Sequence, residues 1–274
     1  LTCAALLAGC ATVYNLPGNV PLGEALADNN FGREVPNLDD DVLLALSFSG
    51  GGTRAAAFSF GVLTELERTR AGSSKTKSLL DRVDFISGVS GGSVTAAYFG
   101  LKKRAALDDF RERFLLRNAE EGLNTSVSLG NIARAIGGGV NDSQFTNWLD
   151  LNVFDGARFD AFREDRRPRV WINASDIYNR TPFVFGRTAF DALCSDIRPY
   201  RVAEAVAASA AVPLAFAPIV LETFPGGCAK QLPPLLARAA LVMTPDSGPM
   251  HIANAMGTKV LGLHAASNPH RSGP

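Results

Sequence analysis

The chain has 274 residues, 46% of them hydrophobic, and its 27 basic side chains balance 27 acidic ones. That length and apolar content suffice to bury a large core, which excludes disorder as the main state. Zero net charge supplies no long-range field for nucleic acid, so no nucleic-acid partner is expected, and Lys102, Lys103 and Arg104 read as a solvated helix face. The four cysteines, Cys3, Cys10, Cys194 and Cys228, show neither C-x-x-C spacing nor a nearby histidine. That argues against a metal site and leaves no obvious disulfide framework; no cofactor is expected.

Residues 1–10, "LTCAALLAGC", are apolar with small side chains, like the end of a secretory signal peptide, and are too short to span a bilayer. Leu7, Ala8, Gly9 and Cys10 resemble the bacterial lipobox, whose cysteine becomes the lipidated N-terminus of the mature protein. The expectation is a truncated lipoprotein signal and a membrane-anchored protein of the bacterial cell envelope. Each buried acyl methylene would contribute about 0.8 kcal/mol to the anchor. Replacing Cys10 by serine is expected to move the full-length protein from the membrane to the soluble fraction; retention of Cys10→Ser on membranes would count against lipidation. Residues 11–40, with Pro17, Pro21, Pro36 and several Gly, Asn and Asp, lack a sustained apolar period and read as a flexible tether.

The folded part is expected from Asp41. "VLLALSF" (42–48) is a continuous apolar run, as a strand buried on both faces requires, and it leads through "SGGGTR" (49–54) into a helically spaced segment. "RVDFISGV" followed by "SGGSVTAAYFGLKKR" repeats the order of strand, turn and helix. Farther on, "LDDFRERFLLRN" (107–118) has amphipathic helical spacing, "PRVWINASD" (168–176) reads as a buried strand, and "YNRTPFVFG" as a neighbouring one. "RVAEAVAASAAVP" (201–213) reads as a helix with a small-residue face, stopped by Pro213. Such alternation predicts an α/β fold with a largely parallel sheet.

Ser90 lies at the centre of "GVSGG", a Gly-x-Ser-x-Gly pattern that lifts a nucleophile on a sharp turn between strand and helix. Gly88 and Gly92 remove side chains that would collide where the two elements cross. Alone, the pattern also fits a glycine-rich turn without chemistry. The second signal is the turn at Gly50, Gly51, Gly52, Thr53 and Arg54, whose backbone N–H groups, with the following helix N-terminus, suit an oxyanion hole. Gly50, Gly52 and Ala55 also satisfy G-x-G-x-x-A, a dinucleotide-binding pattern. The next strand, however, delivers Gly88 and Ser90 where a ribose-binding carboxylate would stand. No Gly-Lys-Ser/Thr follows, which excludes a P-loop.

These residues carry a family resemblance. "SFSGGGTRAAAFSFGVL", "DFISGVSGGS", "RVWINASD", "FVF" before "CSD", and "AASAAVPLAFAPIVLETF" make residues 41 to about 228 similar to the patatin-like phospholipase family. The resemblance implies a three-layer α/β/α sandwich, a membrane lipid or phospholipid substrate, and ester hydrolysis by a Ser–Asp dyad. It also explains how a serine enzyme could lack a nearby histidine, the first being His251. Arg54 would then fix the glycine turn or meet a lipid phosphate. The dyad aspartate is expected beyond residue 220 in an Asp-Gly-Gly or Asp-Gly-Ala motif, and none stands there. The dyad acid is thus unknown: Asp155, in "DGA" but without a preceding strand, Asp176 at a strand end, and Asp246 after "ALVMTP" are outside candidates.

After Cys228 the pattern changes. "LVMTPDSGPMHIANAMGTKVLGLHAASNPHRSGP" resembles the heptosyltransferase family of glycosyltransferases, implying donor contacts at Ser247, Gly248 and His251. The expected layout is a lipobox segment at 1–10, a tether at 11–40, an incomplete patatin-like domain at 41–229 and a glycosyltransferase-like fragment at 230–274. The leading expectation is a lipid acyl hydrolase. Its rivals are a catalytically silent lipid-binding lipoprotein and a nucleotide-sugar-binding fragment.

Overall fold

The computed structural model describes residues 16–23, 43–71, 77–118, 143–162, 167–177, 179–211, 219–224, 242–245 and 260–263. They fall into two units, one comprising Leu1–Gly18, Gly32–Gly186 and Arg198–Leu221, the other Asn19–Phe31, Arg187–Ile197 and Glu222–Pro274.

In the first unit the apolar run forms β1 (Leu44–Phe48), which passes through the glycine turn into α1 (Gly52–Arg68). β2 (Val83–Val89) runs parallel to β1, with Phe48 opposite Gly88, and continues into α2 (Gly91–Lys102). The 107–118 segment begins as α3 (Ala106–Phe110) and widens into a π turn over Arg111–Leu115. α4 (Ser143–Leu149) likewise runs into a π turn, Asp150–Phe154. β3 (Arg169–Asp176) lies parallel to β2, with Val89 opposite Asn173, and β4 (Thr181–Phe185) closes the sheet antiparallel to β3. The order is β1-β2-β3-β4, so the α/β class and mostly parallel sheet are as the sequence predicts.

α1 connects β1 to β2, α2 leads on from β2, and α2 covers one face of the sheet. On that face α2 packs against β2, β3 and α1. Phe48, Ile86, Ile172 and Phe185 point into this core and are buried. Every residue of α2 from Gly91 to Gly100 is buried, and its glycines and alanines allow that close approach. Beneath it Tyr98, Phe110 and Phe114 form a ring cluster, with centroids 5.1 and 5.6 Å apart. The other face carries Val89, Trp171 and Val184, which are 41%, 46% and 39% exposed. The buried Asp84 ties strand starts together: its Oδ2 accepts the Leu44 N–H at 2.9 Å and its Oδ1 pairs with Arg167 at 2.8 Å.

The second unit contains α5 (Arg187–Ala192), and α6 (Val202–Ala210) belongs to the first. Part of the stretch read as a tether is held in structure. Val20–Pro21 pairs antiparallel with Ser195–Asp196, and the Asn19 amide donates to Ser195 Oγ (3.0 Å) and Glu222 O (2.8 Å) while accepting the Glu222 N–H (2.9 Å). One side chain satisfying three partners supplies what the apolar pattern lacks. A second correction concerns the cysteines: Cys194 is disulfide-bonded, to a partner outside the described residues. β5 (Val242–Pro245) and β6 (Val260–Leu263) pair in parallel with Val242 opposite Val260.

Candidate active site

Ser90 is the single residue between β2 and α2, at φ 52° and ψ −124°. A non-glycine residue there costs on the order of 1–3 kcal/mol and persists only where its surroundings enforce it. The surroundings are glycine. A Cβ on Gly88 would lie 2.6 Å from Gly92 O, one on Gly92 would lie 2.6 Å from both Phe48 O and Ser49 O, and one on Gly91 would overlap the Gly52 carbonyl. The elbow glycines expected at 88 and 92 are therefore required by backbone approaching backbone.

The second glycine-rich turn lies against this elbow. A Cβ on Gly50 would be 3.3 Å from Ser90 Cβ, and the Gly52 carbonyl faces Gly91. Gly51 and Gly52 adopt φ 139° and 63°, values open to glycine at no steric cost. α1 starts at Gly52 and α2 at Gly91, and neither has a side-chain cap or an acidic residue in its first turn. Two helix N-termini, each equivalent to roughly half a positive charge, thus converge beside the Ser90 side chain. Ser49 to Arg54 are exposed, and Arg54 forms no ion pair among the described residues.

The candidate carboxylates separate cleanly. Asp155 follows the second π turn at φ 51°, where Arg113 Nη1 donates to its two oxygens at 2.9 and 3.0 Å and Lys102 Nζ lies 3.6 Å away. Lys102 ends α2, whose 12 residues extend about 18 Å from Ser90. Asp155 therefore belongs to the far end of the helix and is not the base. The Arg113 hydrogen bonds, opposed in part by burial and aided by the charges of Arg113 and Lys102, hold its carboxyl below the usual value of 3.8. A native value below the unfolded one means stability present above the ordinary carboxylate range and lost as pH falls through the lowered native value. Asp155→Asn is thus expected to lower the melting temperature at neutral pH, by a margin that shrinks below about pH 4, while leaving Ser90 reactivity unchanged. A loss of Ser90 reactivity in folded Asp155→Asn would reinstate it as a candidate. Asp176, at the end of β3, accepts from the Asn179 N–H (3.0 Å) and Nδ2 (2.7 Å), the role of a turn residue. Asp246, Cys10, Ser247, Gly248 and His251 lie outside the described residues. Among the described residues no carboxylate hydrogen-bonds the Ser90 hydroxyl.

Two residues of the site are not singled out by the sequence motifs. Ser209, on α6, accepts the Ser90 N–H at 2.9 Å and donates to Asn173 O at 2.5 Å. Asn173 Nδ2 in turn donates to Ser87 Oγ (2.7 Å) and Gly88 O (3.0 Å). A sequence signal for Ser209 does exist, since it is the one hydroxyl in "VAEAVAASA". No group of His, Cys, Asp and Glu side chains suited to a metal ion occurs among the described residues.

A parallel α/β domain in which a strand–serine–helix elbow faces a glycine-rich helix N-terminus is the class of protein that fold and site define. The patatin-like phospholipase family model matches residues 46–233, well over half of the chain. The chain belongs to that family. A model of glycosyltransferase family 9 (heptosyltransferase) matches residues 229–274. Over 45 residues the chain is 53% identical to the lipopolysaccharide core heptosyltransferase OpsX of Haemophilus influenzae, covering 16% of this chain and 13% of that protein. Among solved structures, the type III effector protein ExoU aligns at 18% identity with a TM-score of 0.34, over 84% of this chain and 50% of ExoU. The chain therefore spans about half the length of the one and a small fraction of the other.

Proposed function

We propose that the patatin-like domain is a serine acyl hydrolase of lipid esters, with Ser90 as nucleophile and the Gly50–Arg54 amides as oxyanion hole. The observation that carries this reading is the approach of the β1–α1 glycine turn to the elbow, Gly50 against Ser90 and Gly52 against Gly91. Ser90 Oγ would attack the ester carbonyl carbon, its proton passing to a base, while the carbonyl oxygen becomes an oxyanion beside uncapped N–H groups. Each such donor is typically worth 10²–10³ in rate. Collapse of the intermediate breaks the ester C–O bond, the leaving alkoxide takes up the proton, and water then hydrolyses the acyl-serine. Val89, exposed beside Ser90, offers an apolar contact to an acyl chain. Asp155, at the far end of α2, and Asp176, held by Asn179, are given no part as the base in this reading. Lipidation at Cys10 would bring the domain to its substrate surface.

The test is covalent labelling of the full chain by a fluorophosphonate, with the adduct mapped by peptide mass spectrometry. Modification at Ser90 is expected. No adduct there, under conditions that label an active patatin-like hydrolase, would favour the silent lipid-binding reading.

A further inference from the structure

The strained turn at Ser90 needs an agent that holds it, and the glycines do not suffice: they permit the conformation without fixing it. The Ser90 carbonyl is secured locally, accepting from Ser93 Oγ at 2.6 Å and from the Ser93 N–H at 2.9 Å within its own helix. The Ser90 N–H is secured from elsewhere in the chain. It donates to Ser209 Oγ, 119 residues away, at the C-terminal end of α6.

The direction of that bond is determined. A serine hydroxyl carries one hydrogen, and that of Ser209 is committed to Asn173 O on β3, so toward Ser90 its oxygen acts as acceptor. Asn173 then reaches back with its side chain to Gly88 O and Ser87 Oγ on the strand that leads into the elbow. Ser90 N–H, Ser209 hydroxyl, Asn173 and Gly88 thus form a closed circuit joining β2, β3 and α6 around the turn. Ala203, Ala205 and Ala207, all buried, let α6 pack closely enough for a short side chain to complete it. One consequence is chemical. The amide of Ser90 itself is occupied, so it cannot serve as an oxyanion donor, and that duty falls to other N–H groups around the turn.

We propose that Ser209 is a positioning residue for Ser90. Its hydroxyl fixes the backbone of the elbow so that Ser90 Oγ faces the β1–α1 turn. The proposal rests on the reading of Ser90 as nucleophile.

The experiment compares fluorophosphonate inactivation kinetics of the full chain, its Ser209→Ala and Ser209→Thr variants, with melting temperatures recorded in parallel. Ser209→Ala is expected to lower the maximal labelling rate on the order of 10²-fold, the size of effect seen when a reacting group is misplaced by about an ångström, with half-saturation by the reagent little changed. Ser209→Thr, which keeps the hydroxyl, is expected to recover most of the rate. A purely structural role predicts instead that rate follows melting temperature and ignores whether a hydroxyl is present. Wild-type rate in Ser209→Ala, or failure of folded Ser209→Thr to exceed it, overturns the proposal while leaving the nucleophile intact. Absence of any Ser90 adduct in the unmodified chain overturns both. Should Ser209→Ala not accumulate as folded protein, Ser209→Cys, which keeps the volume and weakens the acceptor, carries the same expectation.

Discussion

Ser90→Ala is expected to abolish fluorophosphonate labelling and to reduce ester hydrolysis at least about 10⁴-fold, the scale on which serine hydrolases lose turnover without their nucleophile. The fold should survive. Ser90 is half-buried and its side chain makes no hydrogen bond to a described residue, so removal of the hydroxyl orphans no partner among the described residues. Its backbone bonds to Ser209 and Ser93 do not involve the side chain of residue 90. The pair of measurements is hydrolysis of a short-chain ester and thermal unfolding. Residual hydrolysis by Ser90→Ala equal to that of the parent would remove Ser90 from the mechanism.

Gly92→Ala is the second substitution with a large expected effect. In the first turn of a helix, alanine in place of glycine would ordinarily gain up to about 1 kcal/mol. Here the new methyl would sit 2.6 Å from the Phe48 and Ser49 carbonyl oxygens, both main-chain atoms at the end of β1. Neither side yields readily: α2 is buried along Gly91–Gly100, and Phe48 is locked into the sheet opposite Gly88. Overpacking of this kind costs about 1–3 kcal/mol and sometimes more, which exceeds the propensity gain. A net cost of about 1–2 kcal/mol, at about 2–4 °C per kcal/mol for a domain of this size, gives a melting-temperature fall of roughly 2–8 °C. Because the displaced atoms lead directly into the glycine turn, labelling of Ser90 should drop by about 10² as well. An unchanged melting temperature would mean that the crossing of α2 over β1 is looser than these contacts imply.

The sequence was legible where structure is local. "VLLALSF" and "RVDFISGV" mark their strands with largely apolar residues, and the glycines announce turns, by backbone approach at 88 and 92 and by positive φ at 51 and 52. β3 and β4 were readable for the same reason, although the antiparallel sense of β4 depends on its pairing rather than its composition. Long-range polar bonds were not readable. Ser209 and Asn173 reach the elbow across 119 and 85 residues, and an isolated serine or asparagine gives no periodic signal of such a partner. The same limit applies to Asp155, whose "DGA" letters fit a family motif while Arg113, 42 residues earlier, holds it at the far end of α2. It applies again to Asn19, whose amide turns part of a proline-rich stretch into paired structure.

The uniform burial of α2 gives the two sides of the elbow very different access to solvent. On one side the hydroxyl stands on a helix that cannot shift without opening the packed interior. On the other, Ser49–Arg54 are solvated and rich in glycine. If Ser90 is the nucleophile, an ester would be presented from the solvated side of the elbow against a hydroxyl-bearing helix that stays fixed.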